Sequence, residues 1–501
     1  MGLAVAFGLA YTQNPLYSAN QNSYFLHGLK TSVLPLLAGD WMANTVDPFP
    51  LFSWLVRLTS STLSPYTFYV YQALLLGVYI TALLGIACKT FDIPYASTQF
   101  LFCFLLLAGL HSAALADLSL SVFGKNVVQL IDSGLAQQSV LGHELLPSTF
   151  GVLLIVSIFA FVAGRPLAAV ILSSMAAAFH SSYILSSAIL TLIYAVLIFR
   201  ETDGRRKALL TGLLGFLLLL PSVLYIYTFF QPTSPELFSR SQSILVHFRI
   251  PRHADPRTWS VLQTVGIVTI ILSGLYLARG KKVFPVTLLA FIAGLILTFV
   301  QIVTANETLA LLFPWRISAW LAPISWGLVL AGLTKVVFAR GSWLPRSVSK
   351  FSPLRLTILI SILLLAVYGT WKMSVRPQDG SPPSTMENMM QYVSAAAAPK
   401  QVYLVPAEME QFRLKTGVPI LVDWKTHPYK DAEVIEWYRR LLDARKFYAS
   451  MPDSGREVLH DMQRRYDVTH VVLPGRPGPT AFPGLREVYH DSAYAVFEIS
   501  D

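Results

Sequence analysis

The sequence predicts an all-α polytopic membrane domain over residues 1–373 and a small α/β extracytoplasmic C-terminal domain over 374–501. The membrane domain is read as about 11 transmembrane helices of about 20 residues each. Three observations predict this. Hydrophobic residues make up 54% of the chain and charged residues only 13%, about half the charge of a soluble protein. Apolar runs of spanning length recur at 66–88, 96–115, 148–164, 166–182, 183–199, 208–230, 258–278, 283–304, 314–337 and 355–373. After residue 374 the pattern changes to short strands alternating with amphipathic helices.

The elements follow in order. Residues 1–12 are apolar, too short to span and without the basic start of a signal peptide. They read as the second half of a first helix whose beginning is missing. Lys and Arg then set the orientation, because short basic loops stay cytoplasmic. Lys89, Arg165, the Arg200–Lys207 group, Arg279–Lys282 and the Lys335–Arg355 group fall in every second gap. The alternate gaps, including the long first loop 13–65, are therefore expected outside the membrane of the cell, with everything after 374. Cys88 and Cys103 lie inside apolar runs and read as small buried hydrophobes.

The net charge of +10 does not make this a nucleic-acid binder. The basic residues mark topology, and no basic stripe is interleaved with aromatics. No phosphate-binding glycine loop, nucleophile elbow or zinc motif occurs.

The first outer loop reads as two amphipathic stretches, 22–37 and 48–60, joined by GDWMANTVDP. Pro48 and Pro50 break any helix across the joint. NQNSYFLHGL (20–29) followed by GDWMANTVDPFPLFSWLVRL (39–58) resembles the first outer loop of the GT-C superfamily of membrane glycosyltransferases, of the aminoarabinose transferase and protein mannosyltransferase kind. Tyr24, the turn Gly39-Asp40-Trp41 and the helix residues Pro50, Leu51, Trp54 and Leu55 match. The family's acidic pair does not: Asn20, Gln21 and Asn22 stand in its place, and an amide cannot take up a proton at neutral pH.

The resemblance implies a bacterial inner-membrane enzyme that takes a sugar from a polyprenyl-phosphate lipid donor on the extracytoplasmic face. The acceptor would be a glycan, lipid or protein. It places Asn20, Asn22 and Tyr24 at the substrate. The alternative is a non-catalytic lipid-binding or assembly protein derived from the same fold.

The base must then come from elsewhere. Asp40 and Asp47 flank the polar joint, and a carboxylate near the membrane plane can serve as a base. Asp47-Pro48 equally reads as a turn starter or helix cap. Asp117, Lys125, Asp132 and GHELLPSTFG (142–151) lie in the second outer loop. There Glu144 and His143 precede a span, where an ionisable residue is costly and a functional candidate. Glu144 is the third candidate base. His180 ends an apolar run and is either substrate-binding or structural.

The densest polar segment is 240–257, with Arg240, His247, Arg249, Arg252, His253 and Arg257 on the outer side. Guanidinium groups suit phosphate, so Arg249, Arg252 and His253 are read as contacts to the carrier phosphate or to membrane lipid headgroups. His247 and His253 leave a divalent metal open, without a recognisable ligand set. Arg316, at the outer start of a late span, follows the same logic, with snorkelling to the interface as the alternative.

In the C-terminal segment, QVYLVP (401–406), VPILVDW (418–424), VTHVVLP (468–474) and YAVFEIS (494–500) read as strands. Residues 386–396, 431–449 and 456–466 read as helices. Asp423, Lys425, His427 and Tyr429 read as a polar strand end or a glycan contact.

Overall fold

The computed structural model describes residues 1–128, 131, 133–339, 352–375, 384–450, 455–475 and 485–499. Asp132 lies outside them. The chain divides into two compact units. The first comprises Met1–Asn14, Phe68–Tyr225 and Leu245–Arg376; the second comprises Pro15–Thr67, Ile226–Ile244 and Pro377–Asp501. The long first loop thus belongs to the same unit as the C-terminal segment.

The first unit is a helical bundle. Among the described residues, six helices are long and apolar enough to cross a membrane: Thr67–Phe91, Ser181–Phe199, Gly204–Phe229, Val283–Thr304, Glu307–Val337 and Pro353–Ser374. Thr98–Leu110 and Ala113–Phe123 form a bent pair at 51° that makes a seventh span if counted as one. Gly2–Tyr11, Pro147–Val162, Pro166–Phe179 and Val261–Leu277 are shorter apolar helices. The protein is a multi-pass membrane protein of predominantly helical fold.

Local chemistry explains the ends of these helices. Between Val152–Val162 and Pro166–Phe179 the chain reverses through Gly164, whose φ of 81° suits glycine, and Pro166 starts the next helix at a position needing no N–H donor. Ser97 and Ser112 cap the two halves of the bent pair, each accepting from a backbone N–H three residues on. At the bend, His111 is buried, with Nε2 2.9 Å from the Tyr79 hydroxyl. Pro353–Ser374 packs on Gly2–Tyr11 through Gly369, where a Cβ would collide with the Leu9 backbone.

The second unit carries a four-stranded sheet in the order β1-β2-β4-β3: β1 (Tyr403–Leu404), β2 (His470–Pro474), β3 (Leu485–His490) and β4 (Tyr494–Ile499). β1 runs parallel to β2, and the other pairs are antiparallel. Helices Thr385–Ala395, Asp431–Ala449 and Gly455–Tyr466 accompany it. Ser384 and Glu387 form a capping box at the first of these. Met389, Val393, Phe412, Ile420, Val472 and Val496 share one buried core.

Three expectations for this unit change. Residues 418–424 are not a full strand: they touch β1 by a single bridge at Ile420, whose N–H is taken by Asp40 Oδ2 at 3.0 Å. The edge strand β3 (LREVYH) was not expected, because its polar, half-exposed pattern lacks the apolar alternation that marks a strand. In the first loop, 22–37 is broken into the short helices Gln21–Tyr24, Leu26–Leu29 and Pro35–Gly39, whereas Pro50–Thr62 is one helix with Pro50 at its start.

The second unit is tied together by one ion triad. Arg413 Nε donates to Asp40 Oδ2 at 2.9 Å and Nη1 donates to Asp423 Oδ2 at 2.5 Å. All three side chains are essentially fully buried. The spare carboxylate oxygens accept from the Ala43 and Thr426 N–H groups at 2.9 and 2.6 Å. Removing one partner from such a buried set leaves a naked charge and costs about 3–5 kcal/mol. Arg413→Met is therefore expected to lower the unfolding midpoint sharply, measured by circular dichroism in detergent. The triple change Asp40→Asn, Arg413→Met, Asp423→Asn is expected to recover part of the loss. A single mutant as stable as wild type would sink this account.

Candidate functional site

Of the first-unit candidates, His180 lies beside Arg316, through Ser182. A 3-10 turn, Pro314–Ile317, starts the helix Ser318–Val337 and places this guanidinium inside the bundle, 9% exposed. Phe313, just before it, holds φ at 50°, a strained value for a bulky side chain. Arg316 Nη1 donates to Ser182 Oγ. Ser182 Oγ lies 2.8 Å from His180 Nδ1. The guanidinium stands 5.0 Å over the Tyr183 ring and 5.9 Å from that of Phe313. Arg316 Nε is buried without a hydrogen-bond partner among the described residues, and no carboxylate pairs with the group there. Every neighbour holding it is neutral or a π face.

Glu144 is in the same unit, buried, and accepts from Asn14 Nδ2 at 2.9 Å. His143 stacks on Tyr11 with ring centroids 4.8 Å apart. Its carbonyl accepts from Asn14 N–H at 2.7 Å, so the segment 13–14 pins the Glu144 turn in place.

The basic segment 240–257 is not a loop. Ser234 caps the helix Pro235–Ser243, which runs into a π-helix, Ile244–Arg249, and two short helices, Pro251–Ala254 and Pro256–Thr258. This winding spreads the cations instead of pooling them. His247 Nε2 meets Glu307 Oε1 at 3.0 Å, with Asp255 Oδ2 at 4.0 Å from Nδ1. Arg257 Nε meets Asp255 Oδ1 at 2.9 Å. For these two the negative partner is internal. His253 Nδ1 is 2.8 Å from the Ala136 carbonyl oxygen. Arg249 is half-buried, and Arg252 is exposed at the mouth of a small cavity. No group of three or more His, Cys, Asp or Glu that could hold a metal occurs among the described residues.

The second unit holds the other candidates. Asp40 is engaged in the Arg413 triad. Asp47 Oδ1 accepts from Phe49 N–H at 2.8 Å, an Asx turn leading into the helix Pro50–Thr62. Tyr24 meets Phe49 edge-on at 5.2 Å, and Phe49 meets Tyr429 at 6.3 Å. Asn22 Nδ2 donates to the Ala19 carbonyl oxygen at 3.3 Å, and Gln21 Oε1 accepts from Tyr17 N–H at 2.8 Å. Asn20 sits at the N-cap of the helix Gln21–Tyr24, half-buried and without a side-chain cap bond. Sequence reasoning missed Arg413, Ser182, Trp259 and His27. His27 had a signal: it is the lone titratable residue of an apolar turn, FLHGL.

A bundle of many apolar helices, a long first loop and a C-terminal α/β segment make a GT-C-like fold. The chain is similar to the crystal structure of ArnT from Cupriavidus metallidurans bound to undecaprenyl phosphate, at 15% identity and a TM-score of 0.52. The match covers 99% of this chain and 95% of that one. The oligosaccharyltransferase AglB from Archaeoglobus fulgidus, solved with an inhibitory peptide and a dolichol-phosphate, matches at 11% identity and a TM-score of 0.45, covering 94% of this chain and 68% of that one. A domain of unknown function, DUF6798, matches residues 384–444. No curated protein matches the sequence.

Burial holds the His27 imidazole below its usual range, against the pull of Asp47. The folded loop therefore prefers neutral His27. As pH falls through about 6.5 toward the lowered value, the unfolded chain binds more protons than the folded one, and stability drops. Acidification from about pH 7.5 to about pH 5.5 should lower the unfolding midpoint of wild type more than that of His27→Gln. Equal drops would count against it.

Proposed function

We propose that this protein is a glycosyltransferase that uses a polyprenyl-phosphate-linked sugar on the extracytoplasmic face. The observation that carries the reading is Arg316: a buried guanidinium that pairs with no carboxylate among the described residues. Desolvating such a charge costs several kcal/mol unless an anion compensates. A lipid phosphate supplies two acceptor oxygens in the geometry a guanidinium favours. The GT-C-like fold supports the same reading, since ArnT was solved holding undecaprenyl phosphate.

In the proposed reaction an acceptor oxygen attacks the anomeric carbon. The bond from that carbon to the phosphate oxygen breaks, and polyprenyl phosphate leaves with the electron pair. Arg316 stabilises the charge that grows on the departing phosphate, with Ser182 and His180 holding its orientation. The acceptor proton passes to a carboxylate. Asp40 is unsuited, because both its oxygens already serve the Arg413 triad and neighbouring N–H groups. Glu144 is the proposed base, in the same unit as Arg316, and Asp47 is the second choice. The amides Asn20, Gln21 and Asn22 favour one rival reading: a non-catalytic lipid-binding protein that kept the phosphate site and lost the base.

Native mass spectrometry with polyprenyl phosphate tests the phosphate site. Arg316→Met is expected to weaken retention by about tenfold or more, and Arg316→Lys by less, with unfolding midpoints close to wild type. Retention unaffected by Arg316→Met removes the basis of the proposal. A donor and acceptor screen then separates the two readings: turnover lost in Glu144→Gln marks an enzyme, and lipid retention without turnover marks the binding protein.

A further inference from the structure

His247 stands at the centre of a charge set that the proposed reaction does not employ. The π-helix Ile244–Arg249 is closed by the Ile250 N–H, which donates to the Leu245 carbonyl oxygen five residues back at 2.9 Å. Such wide turns recur at functional sites. This one sets His247 between two carboxylates. Nε2 lies 3.0 Å from Glu307 Oε1, and Nδ1 lies 4.0 Å from Asp255 Oδ2. Arg257 Nε holds the other Asp255 oxygen at 2.9 Å. Burial pushes the Asp255 carboxyl up, but the Arg257 hydrogen bonds and the charges of Arg257 and His247 hold it below its usual range, so it stays ionised.

The set is joined to the Arg316 turn. Glu307 opens the helix Glu307–Leu311, and Phe313, Pro314, Trp315 and Arg316 follow it. Val246 and Ala254 share a buried cluster with Ala310 and Trp315, and Phe313 packs against that cluster. Residues 245–259 are therefore the wall on which the Arg316 turn rests, fastened by an apolar core and by His247. The turn Leu135–Gln137, which packs on Pro251–Ala254, brings no ionisable group. Arg249, Arg252 and His253 are the other ionisable groups of this wall, and His253 turns to the Ala136 carbonyl oxygen. Arg316 itself turns to Ser182 and the Tyr183 face.

A neutral imidazole has one N–H. It can donate to Glu307 through Nε2, and Nδ1 then turns a lone pair toward Asp255. A protonated ring donates from both nitrogens. With His247 neutral, two carboxylates face one guanidinium; a proton on His247 balances the group.

We propose that His247 is a proton-dependent clasp on the Arg316 turn: its protonation draws Glu307 and Asp255 together and tightens the hold of the turn on a phosphate. That the phosphate belongs to the sugar carrier rests on the transferase reading; the clasp does not. Histidine exchanges its proton between about pH 5 and 8. The clasp is fastened in acid and loosens as pH rises through that range.

The test uses the full chain in nanodiscs at about pH 6 and about pH 8. Hydrogen exchange, corrected for its intrinsic pH dependence, is followed in peptides covering 245–259 and 305–317. Polyprenyl-phosphate retention is followed by native mass spectrometry. Partly exposed ion pairs contribute little, so the expected differences are about two- to fivefold. Wild type should show stronger protection and tighter retention at the lower pH. His247→Gln keeps a donor for Glu307 but takes up no proton, and its protection should not change with pH. Glu307→Gln should reduce the wild-type difference. The lipid phosphate itself titrates at about pH 6, and this contribution is common to all the chains, so the wild-type excess isolates His247. Protection that is equally pH-dependent in His247→Gln, or independent of pH in wild type, overturns the proposal. So does a retention difference that is the same in wild type and His247→Gln. Protection that responds as expected, in a protein that retains no polyprenyl phosphate at either pH, upholds the clasp and removes the transferase reading instead.

Discussion

The second unit depends on a single guanidinium. Arg413 pairs with Asp40 from the first loop and Asp423 from the C-terminal segment, and all three side chains are out of water. Isolated, each would be costly to bury; together, with backbone N–H groups on the spare oxygens, they are compensated. Other links between distant segments are built on top of this one. Glu433 accepts from Val46 N–H, and Asp431 accepts from the Thr233 N–H and hydroxyl. Arg440 lies between the rings of Trp41 and Tyr466, 4.5 and 4.8 Å from their centroids. Three stretches of chain far apart in sequence are joined in this unit by buried carboxylates, the Arg413 guanidinium and the N–H and hydroxyl groups that donate to them.

The first unit uses charge in the opposite way. The cations that line its basic segment are partly cancelled by Asp255 and Glu307, whereas Arg316 and Arg252 are left without carboxylates among the described residues. The contrast between a cancelled and an uncancelled cation carries more functional meaning than the number of cations. Neutral partners such as Ser182 and the Tyr183 face orient Arg316 without spending its charge, which leaves it available for an anion.

Much of the bundle was legible because lipid demands long apolar helices and short basic turns leave a regular trace. The helix Pro50–Thr62 and the C-terminal helices were legible for the same reason, from Pro at a helix start and from amphipathic spacing. The Arg413 triad was not. Asp40 and Asp423 look like any polar turn residues, and nothing local to FRLK marks an arginine whose partner lies in another segment. Nor was the winding of 240–257 legible: its prolines and basic residues read as a loop, whereas Ser234, Pro235, Pro251 and Pro256 are starts of short helices. Asp40 was readable as a charged residue near the membrane, but only its partners show what the charge is used for.

The separation of Asp40 and Arg413 has a consequence for how the chain is made. The two stand 373 positions apart. At a synthesis rate of about 5–20 residues per second, the carboxylate waits roughly 20–75 seconds for its cation to emerge. During that interval the first loop is present without its anchor, while span after span enters the lipid. Its final conformation is a late event, set only after every span between the two residues has been made.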